Sequence, residues 1–440
     1  MSRGGGRGVE KLAPEARDMT KGPAQYPHNR LCSLGNWRVI RQCCLRLAIV
    51  LFMPNQAPPS APFARPATPA AKCMHHIRLG QQLIRNELVE ATGLSQPTVT
   101  RAVTALMQAG LVRERPDLTQ STGPGRPNIP LELAPSPWIH AGVAIGTRSS
   151  YIALFDTKGR TLRDNMLEKS AIDLDPDTFI EHLIAGVNRL TTGIDLPLVG
   201  IGVATSGKVT NAGVVTAHNL GWDAVDIAGR MNYQFSVPAT VASAIPAIAA
   251  SELQAAPLPR PDEVTPVTLT FYADDSVGAA YSNDTGVHVV GPLQATSDSA
   301  LDTGGMTPED ALSTQGFLNR VSDQGTYADT LSELVTLADR DPKVRTLLDE
   351  RATLLAHAAA AAARDLQPST LVLSGSAFSE DQKGRSIFAA ELKKEYDRDI
   401  ELRLIPTHRE NVRAAARAVA LDRLLNTPLA LTPVQQGTGN

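Results

Sequence analysis

Between Arg85 and Val112 the chain reads RNELVEATGLSQPTVTRAVTALMQAGLV, a pattern that few folds accommodate. Ile84, Leu88 and Ala91 recur at helical spacing and so share one inward face. Gly93 follows, and a glycine just past a helix accepts the left-handed backbone of a C-terminal cap. Ser95 is an N-cap residue for a second helix. Pro97 falls in that helix's first turn, where a missing N–H costs little. The second helix buries Val99, Val103, Leu106 and Met107, and it leaves Gln96, Thr98, Thr100 and Arg101 on its early outer surface. Gly110 ends it, and Leu111-Val112 opens a strand. Those outer side chains are donors and acceptors of the kind that reach base edges in a major groove. An ordinary helical hairpin shares the turn. The polar outer face and the residues that follow favour a helix-turn-helix.

The following residues are RERPDLTQSTGPGRPNIPLEL. Ile129, Leu131 and Leu133 alternate with period two, so two short strands flank a tip at Gly123-Pro-Gly-Arg-Pro127. This is a wing. Arg126, held between glycine and proline on a narrow extended loop, fits a minor groove, and a solvated turn residue is the plain alternative. A weaker pattern, with Met74, Ile77 and Leu79 apolar, predicts a supporting helix from about Ala71 to Leu83. The residues expected to face double-stranded DNA are Ser95, Gln96, Thr98, Thr100, Arg101 and Arg126.

Charge is distributed to suit that reading. The net charge of −3 excludes a polycation. Yet residues 1–76 carry about +8, the helix-turn-helix region about +1 and the remainder about −12. A positive end on an acidic body presents one end to phosphates. Residues 1–70 contain MSRGGGRG and PNQAPPSAPFARPATPAA, and they read as a disordered basic, proline-rich extension. All four cysteines, Cys32, Cys43, Cys44 and Cys73, precede the helix-turn-helix, which leaves the larger region without a disulfide or a cysteine zinc site. The longest apolar run, Leu47 to Met53, is too short to span a bilayer. The expected location is the cytoplasm.

After a linker at Pro135-Ser-Pro137 the chain alternates strands and helices, an α/β pattern in two lobes. Strands are expected at Ile139–Ile145 and Tyr151–Asp156, with a turn at Lys158-Gly159, and a helix from about Asp175 to Thr191. LPLVGIGVATSGKVTNAGVVTAHNLGW supplies a buried strand, a small-residue loop and a return segment. A helix from Ala224 to Phe235 follows, then a strand, loop and helix within Ala239–Gln254. Paired strands lie between Val267 and Val290, helices between Ala328 and Arg364, a strand at Leu371–Ser376 and a final helix at about Glu410–Leu425. The domains expected are residues 71–134 for the winged helix-turn-helix and 138–428 for the two lobes, divided near 255, with a tail from 429.

The helix-turn-helix segment, then GPGRP, GIGVATSGKVTNAGVV, HNLGW and LVLSGSAF, in that order, resemble the ROK family of repressors, open reading frames and kinases. The resemblance covers roughly Ile77 to Pro428. It implies a winged helix-turn-helix followed by an actin-like sugar-kinase fold, assembly into homodimers or tetramers, and response to a sugar-like or other small-molecule effector. The departures bear on chemistry. Where ROK kinases carry D-x-G-G-T, this chain has Ala144-Ile145-Gly146-Thr147-Arg148, so the aspartate near Mg²⁺ is an alanine. Where the family carries E-N-D-A-N, the matching stretch here is Val241-Ala242-Ser243-Ala244-Ile245-Pro246, so the general base falls on Ala244 and a sugar-binding asparagine on Ser243. Asp274-Asp275 in YADDSVG replaces a Gly/Thr-rich phosphate loop, and paired carboxylates repel phosphate. The family's zinc segment and sugar-holding glutamate and histidine have no match, and His288 reads as a surface strand residue.

The resemblance places Ser206, Gly207, Asn219, Trp222, Asp223 and Ser243 at a candidate effector cleft. The plain alternative is structural, with tight-turn glycines and Trp222 in the core. No catalytic residue, metal or cofactor is assigned. The expected function is a sequence-specific DNA-binding transcriptional regulator, a repressor, without kinase activity. The competing readings are a scaffold built on a degenerate kinase fold and an active sugar kinase.

Overall fold

The computed structural model describes residues 62–80, 82–119, 128–260, 262–292, 307 and 311–431. The expectations for most of the N-terminal extension, for Arg126 at the wing tip and for nearly all of the C-terminal tail fall outside the described residues.

Thr68 opens the first helix, α1 (Pro69–Leu79), by accepting a hydrogen bond from the Ala71 N–H at 3.2 Å. The helix begins before Ala71 because Pro69 fits its first turn, and it stops short of Leu83 because Gly80 takes an extended backbone. Met74 and Ile77 are buried with Cys73 and His75, whereas Leu79 is exposed rather than part of the core. Helix α2 (Arg85–Thr92) ends at Gly93, whose φ of 66° is the left-handed cap expected. Ser95 then precedes α3 (Gln96–Gln108) with the extended backbone of an N-cap. Val99, Ala102, Val103 and Leu106 of α3 are buried, while Met107 is only half-buried. Strand β1 (Val112–Glu114) pairs antiparallel with β2 (Leu131–Leu133), Val112 opposite Leu133.

The rest of the chain builds one sheet plan twice. In lobe 1, β3 (Ile139–Ile145) pairs antiparallel with β4 (Ser150–Phe155), which pairs with β5 (Thr161–Leu167). On the other side β3 lies parallel to β6 (Leu198–Thr205), and β6 to β10 (Ala239–Ser243). In lobe 2, β11 (Thr268–Ala273), β12 (Val277–Ser282) and β13 (Val287–Val289) form the antiparallel half. There β14 (Thr370–Ser374) and β15 (Glu401–Leu404) form the parallel half. The matching order, β10-β6-β3-β4-β5 and β15-β14-β11-β12-β13, is a duplicated actin-like architecture.

Helix α4 (Pro176–Thr191) covers β4 and β5, with Asp175 capping it at Thr178 N. A small sheet of β7 (Lys208–Val209), β8 (Val214–Ala217) and β9 (Trp222–Asp226) leads into α5 (Ile227–Phe235). The sequence pattern places Ala224 in the helix, but Val215 pairs with Val225 and holds that stretch as strand, and Asp226 caps the helix at Gly229 N. No loop separates β10 from α6 (Ala244–Ala255).

In lobe 2, α7 (Thr314–Asp323), α8 (Leu331–Ala338) and the long α9 (Pro342–Leu366) come before β14, and a short α10 (Ser376–Ser379) and α11 (Gln382–Glu395) come after it. Alanines 358, 359, 360, 362 and 363 of α9 are buried, which lets it approach β11 and α11 closely. The last helix, α12 (His408–Asn426), crosses back to lobe 1 and lies on β3, β4 and β6. That approach is backbone-close: a Cβ on Gly142 would sit 2.6 Å from the Ala416 carbonyl oxygen. Helix α6 packs on α12 and on β11 and β12, so α6 and α12 fill the layer between the sheets. One continuous apolar core runs from α1–α3 through Trp138 into α6 and α12. Among the described residues no helix is long and apolar enough to cross a membrane.

Candidate DNA-reading helix and inter-lobe cleft

Helix α3 is fixed from beneath and free above. Its buried residues anchor it on α1 and α2. Ser95, Gln96, Thr100 and Arg101 are exposed and Thr98 is half-buried, so the structure brings these five onto one outer surface. Ser95 Oγ lies 2.8 Å from Thr98 Oγ1 instead of reaching a backbone N–H.

Arginine pairing separates Arg101 from its neighbours. Arg85 meets Glu114 at 2.7 Å, Arg113 pairs with Glu132, and Arg115 holds Asp117 at 2.6 Å and Glu132 at 2.9 Å. The Arg101 side chain makes only a 3.3 Å bond from Nε to its own helix, at the Pro97 carbonyl. Among the described residues of this region it is the exposed arginine with no carboxylate partner. Sequence spacing identified its face but had no means of showing that Arg85, Arg113 and Arg115 are internally neutralised.

The second constellation lies at the carboxyl ends of parallel strands β6 and β10, where open α/β sheets place ligands. Ser206 Oγ donates to Asn219 Oδ1 at 3.0 Å, and Ser243 Oγ donates to the Gly207 carbonyl at 2.8 Å. Gly207 has φ +85°, and a Cβ there would press within 2.6 Å of Ala217 Cβ, so only glycine fits the turn. Four of the six cleft candidates, Ser206, Gly207, Asn219 and Ser243, thus come together. The Asn219 Nδ2 group is buried without a protein hydrogen-bond partner. Trp222 departs from the cleft expectation: its ring is 2% exposed and packs against Phe179 at 5.7 Å, inside the lobe 1 core. Asp223, the next residue along β9, is exposed. Ala244, at the position of the family's general base, is the first residue of α6 beside Ser243, and methyl groups exchange no proton.

The third feature joins the lobes. Thr147, just past β3, donates from Oγ1 to Asp275 Oδ2 at 2.5 Å. Arg148 beside it reaches the Asp329 carbonyl at 2.9 Å. Asp274 is nearly buried and accepts from Ser376 Oγ at 2.8 Å and Ser376 N at 3.2 Å. His408 Nδ1 stands 3.9 Å from Asp274 Oδ2, and that carboxylate raises the imidazole above its ordinary range. Burial and Asp274 push the Asp275 carboxyl upward, and the same two causes act on Glu380. The loop that would hold phosphates in a kinase is therefore acidic and bonded to the opposite lobe. The sequence showed the paired aspartates, but Thr147 lies 128 residues away and only the fold brings it there. His288 is a strand residue stacked on Tyr281 at 5.1 Å. Among the described residues one trio has metal-ligand types in reach, His357, Glu391 and Glu395, and its glutamates already face Lys394 and Arg364.

Comparison with known proteins adds a family match. The model of the ROK family matches residues 140–264. A protein of Mycobacterium tuberculosis strain H37Rv named as a transcriptional regulator is 30% identical over 332 residues, 71% of this chain and 75% of that protein. The xylose repressor of Bacillus spizizenii is 28% identical over 157 residues, 35% of this chain and 40% of the repressor. Among solved structures, a ROK family transcriptional regulator described as a homologue of the Escherichia coli MLC protein superposes with a TM-score of 0.64. It is 16% identical and covers 81% of this chain and 96% of its own, a likeness of fold.

Proposed function

The chain belongs to the ROK family, and on that premise we propose that it is a sequence-specific DNA-binding transcriptional regulator, a repressor, that does not phosphorylate sugars. The observation that carries this reading is the α3 surface. Four hydrogen-bonding side chains, Ser95, Gln96, Thr98 and Thr100, flank an arginine with no carboxylate on it, above a buried apolar base. A guanidinium left free in this way is poised for a guanine edge, whereas paired arginines must first break an ion pair. The names of the relatives support the same reading.

The absence of kinase chemistry rests on three positions. Ala144 and Ala244 supply no carboxylate, and Asp275 presents one where phosphates would need cations. The protein acts as a homodimer or tetramer on a two-fold operator, in the cytoplasm, and needs no cofactor. A small sugar-like effector occupies the cleft of Ser206, Gly207, Asn219 and Ser243, with Asn219 Nδ2 as a donor to it. Arg126 contacts the minor groove from the wing.

Selection of genomic fragments by the purified protein, followed by titration at two salt concentrations, tests the reading. A two-fold motif bound about a thousandfold or more above random DNA is expected. Weak, salt-sensitive binding without sequence preference would instead favour a scaffold that keeps the fold for assembly.

A further inference from the structure

The residues just ahead of α1 are bonded to both halves of the two-lobed body. Phe63 donates its N–H to Asp422 Oδ1 on α12 at 3.0 Å. Its carbonyl accepts from Val287 N on β13 at 3.1 Å. Helix α12 rests on the lobe 1 sheet, and β13 is the edge strand of lobe 2. One residue therefore straddles the two lobes. Arg65 extends the attachment, its N–H donating to the Thr285 carbonyl at 3.1 Å and its Nε to the Asn283 carbonyl at 2.7 Å. Ala64 and Gly286 form an antiparallel bridge, so the segment acts as a further strand on the lobe 2 edge.

The local geometry indicates a constrained joint. Phe63 is 2% exposed and holds φ +65°, a left-handed backbone that a bulky residue rarely adopts. Gly286 faces it, and a Cβ there would lie 2.6 Å from the Phe63 carbonyl oxygen. Beyond Pro66 the chain enters α1 directly, and α1 is itself seated on the end of α6. His75 Nε2 lies 2.9 Å from the Ala256 carbonyl, and Arg78 donates to the Gln254 carbonyl. The helix-turn-helix is thus tied to the layer between the lobes at one point and to both lobes at another.

We propose that Phe63–Pro66 is a coupling strap that converts relative movement of the two lobes into reorientation of the DNA-reading helices. This rests on the reading of the protein as a DNA-binding regulator. Opening the lobes separates Asp422 from β13, and Phe63 cannot keep both bonds. The strap then either pulls on α1 or releases it, and α3 moves because α1 packs against it. The perturbation needed to test this is internal, since the Thr147–Asp275 hydrogen bond is one of the bonds that cross between the lobes.

The experiment is a double-mutant cycle on the full-length protein. Thr147→Val loosens the lobes, and Arg65→Pro removes the strap's backbone donor and its side-chain bond. Gly286→Ala releases the strap from the opposite side and covers the case in which Arg65→Pro does not fold. Affinity is measured for the operator duplex recovered by genomic selection and for random duplex, and amide exchange is followed at Val287 and across α1–α3. Thr147→Val is expected to change operator affinity by about fivefold or more, with altered exchange in α1–α3. Both effects disappear in the strap-released backgrounds. The same change in every background, or no change in the otherwise native protein, overturns the strap. If the native protein fails to prefer operator over random duplex, the regulator reading falls, while the exchange pattern still decides the strap.

Discussion

Replacing Arg101 with alanine separates a base reader from a phosphate clamp. Arg101 is exposed and keeps only a 3.3 Å bond to the Pro97 carbonyl, so its loss should change stability by no more than about 0.5 kcal/mol. Arg115 offers the contrast, because its removal would strand Asp117 and Glu132. Any loss of binding in Arg101→Ala therefore belongs to the interface. A bidentate arginine–guanine contact discriminates by about 1–3 kcal/mol, or about 5- to 150-fold in dissociation constant for each contact made.

Fluorescence anisotropy with labelled operator and random duplexes, across a series of salt concentrations, measures both terms. A base reader loses operator affinity within that range and leaves random-duplex affinity nearly unchanged, so the specificity ratio falls. A phosphate clamp weakens both duplexes equally and reduces the salt slope by about 0.9. Equal weakening with the smaller slope would refute the assignment of Arg101 to a base edge. Thr100→Ala on the same surface is the companion measurement, since its hydroxyl carries no charge and leaves the salt slope unaltered.

Three further outcomes follow from the packing and the buried charges. Leu106 is fully buried under α3, and Leu106→Ala should cost about 2–5 kcal/mol in urea unfolding while the protein that remains folded keeps its specificity ratio. Arg345 grips Asp381 through Nη1 at 2.9 Å and Nη2 at 2.7 Å, and Asp381 also caps α11, so Arg345→Ala strands a buried carboxylate and should cost about 3–5 kcal/mol in the same assay. Asp422 is buried among apolar groups, and burial raises its carboxyl from 3.8 to about 7 despite the Phe63 N–H and Arg423. The folded state resists ionising it, so this group's stabilisation is complete below pH 3.8, declines as pH rises and is gone above about 7. The full span is at most about 4 kcal/mol, and Asp422→Asn, which keeps an acceptor for Phe63, should flatten it. A melting-temperature difference between the two proteins that stays constant from pH 5 to pH 8 would contradict this.

Local rules made the DNA-reading head readable. Gly93, Ser95 and Pro97 each specify one backbone conformation, and the buried positions of α3 follow a single helical period, so the turn and the outer face emerge without tertiary information. Strands β3, β4 and β6 were equally plain as buried runs. Ala224 misled because helix propensity is a weak prior and strand pairing to β8 overrides it. Strands β5 and β15 lacked a readable pattern because neither has a buried face: β5 is half-buried along most of its length and β15 largely exposed. Trp222 sat beside cleft residues in sequence, but its place on β9 turned its ring into the core, while Asn219, in the turn before it, met Ser206 in a half-buried contact. The Thr147–Asp275 and Phe63–Asp422 bonds join residues far apart in sequence, and no local pattern encodes such a pair.

Those long-range bonds also show how the lobes stay joined where this chain departs from the family's kinase motifs. In a nucleotide-binding fold of this kind, the bound phosphates and metal bridge the lobes, and removing their ligands would ordinarily leave two like-charged or unpaired loops facing each other. Here alanines 144 and 244 stand where the resembled kinase motifs carry carboxylates, and Asp275 bridges the lobes by accepting directly from Thr147. Burial and the neighbouring Asp274 raise the Asp275 carboxyl, and the Thr147 hydroxyl supplies it a donor from the opposite lobe. On the proposed reading, a small molecule in the Ser206–Asn219 cleft acts on the bonds that cross between the lobes, Thr147–Asp275 among them. No covalent step is needed for such a signal. In that reading, the proposed strap and the seating of the helix-turn-helix on the layer between the lobes connect occupancy of the cleft with the posture of α3.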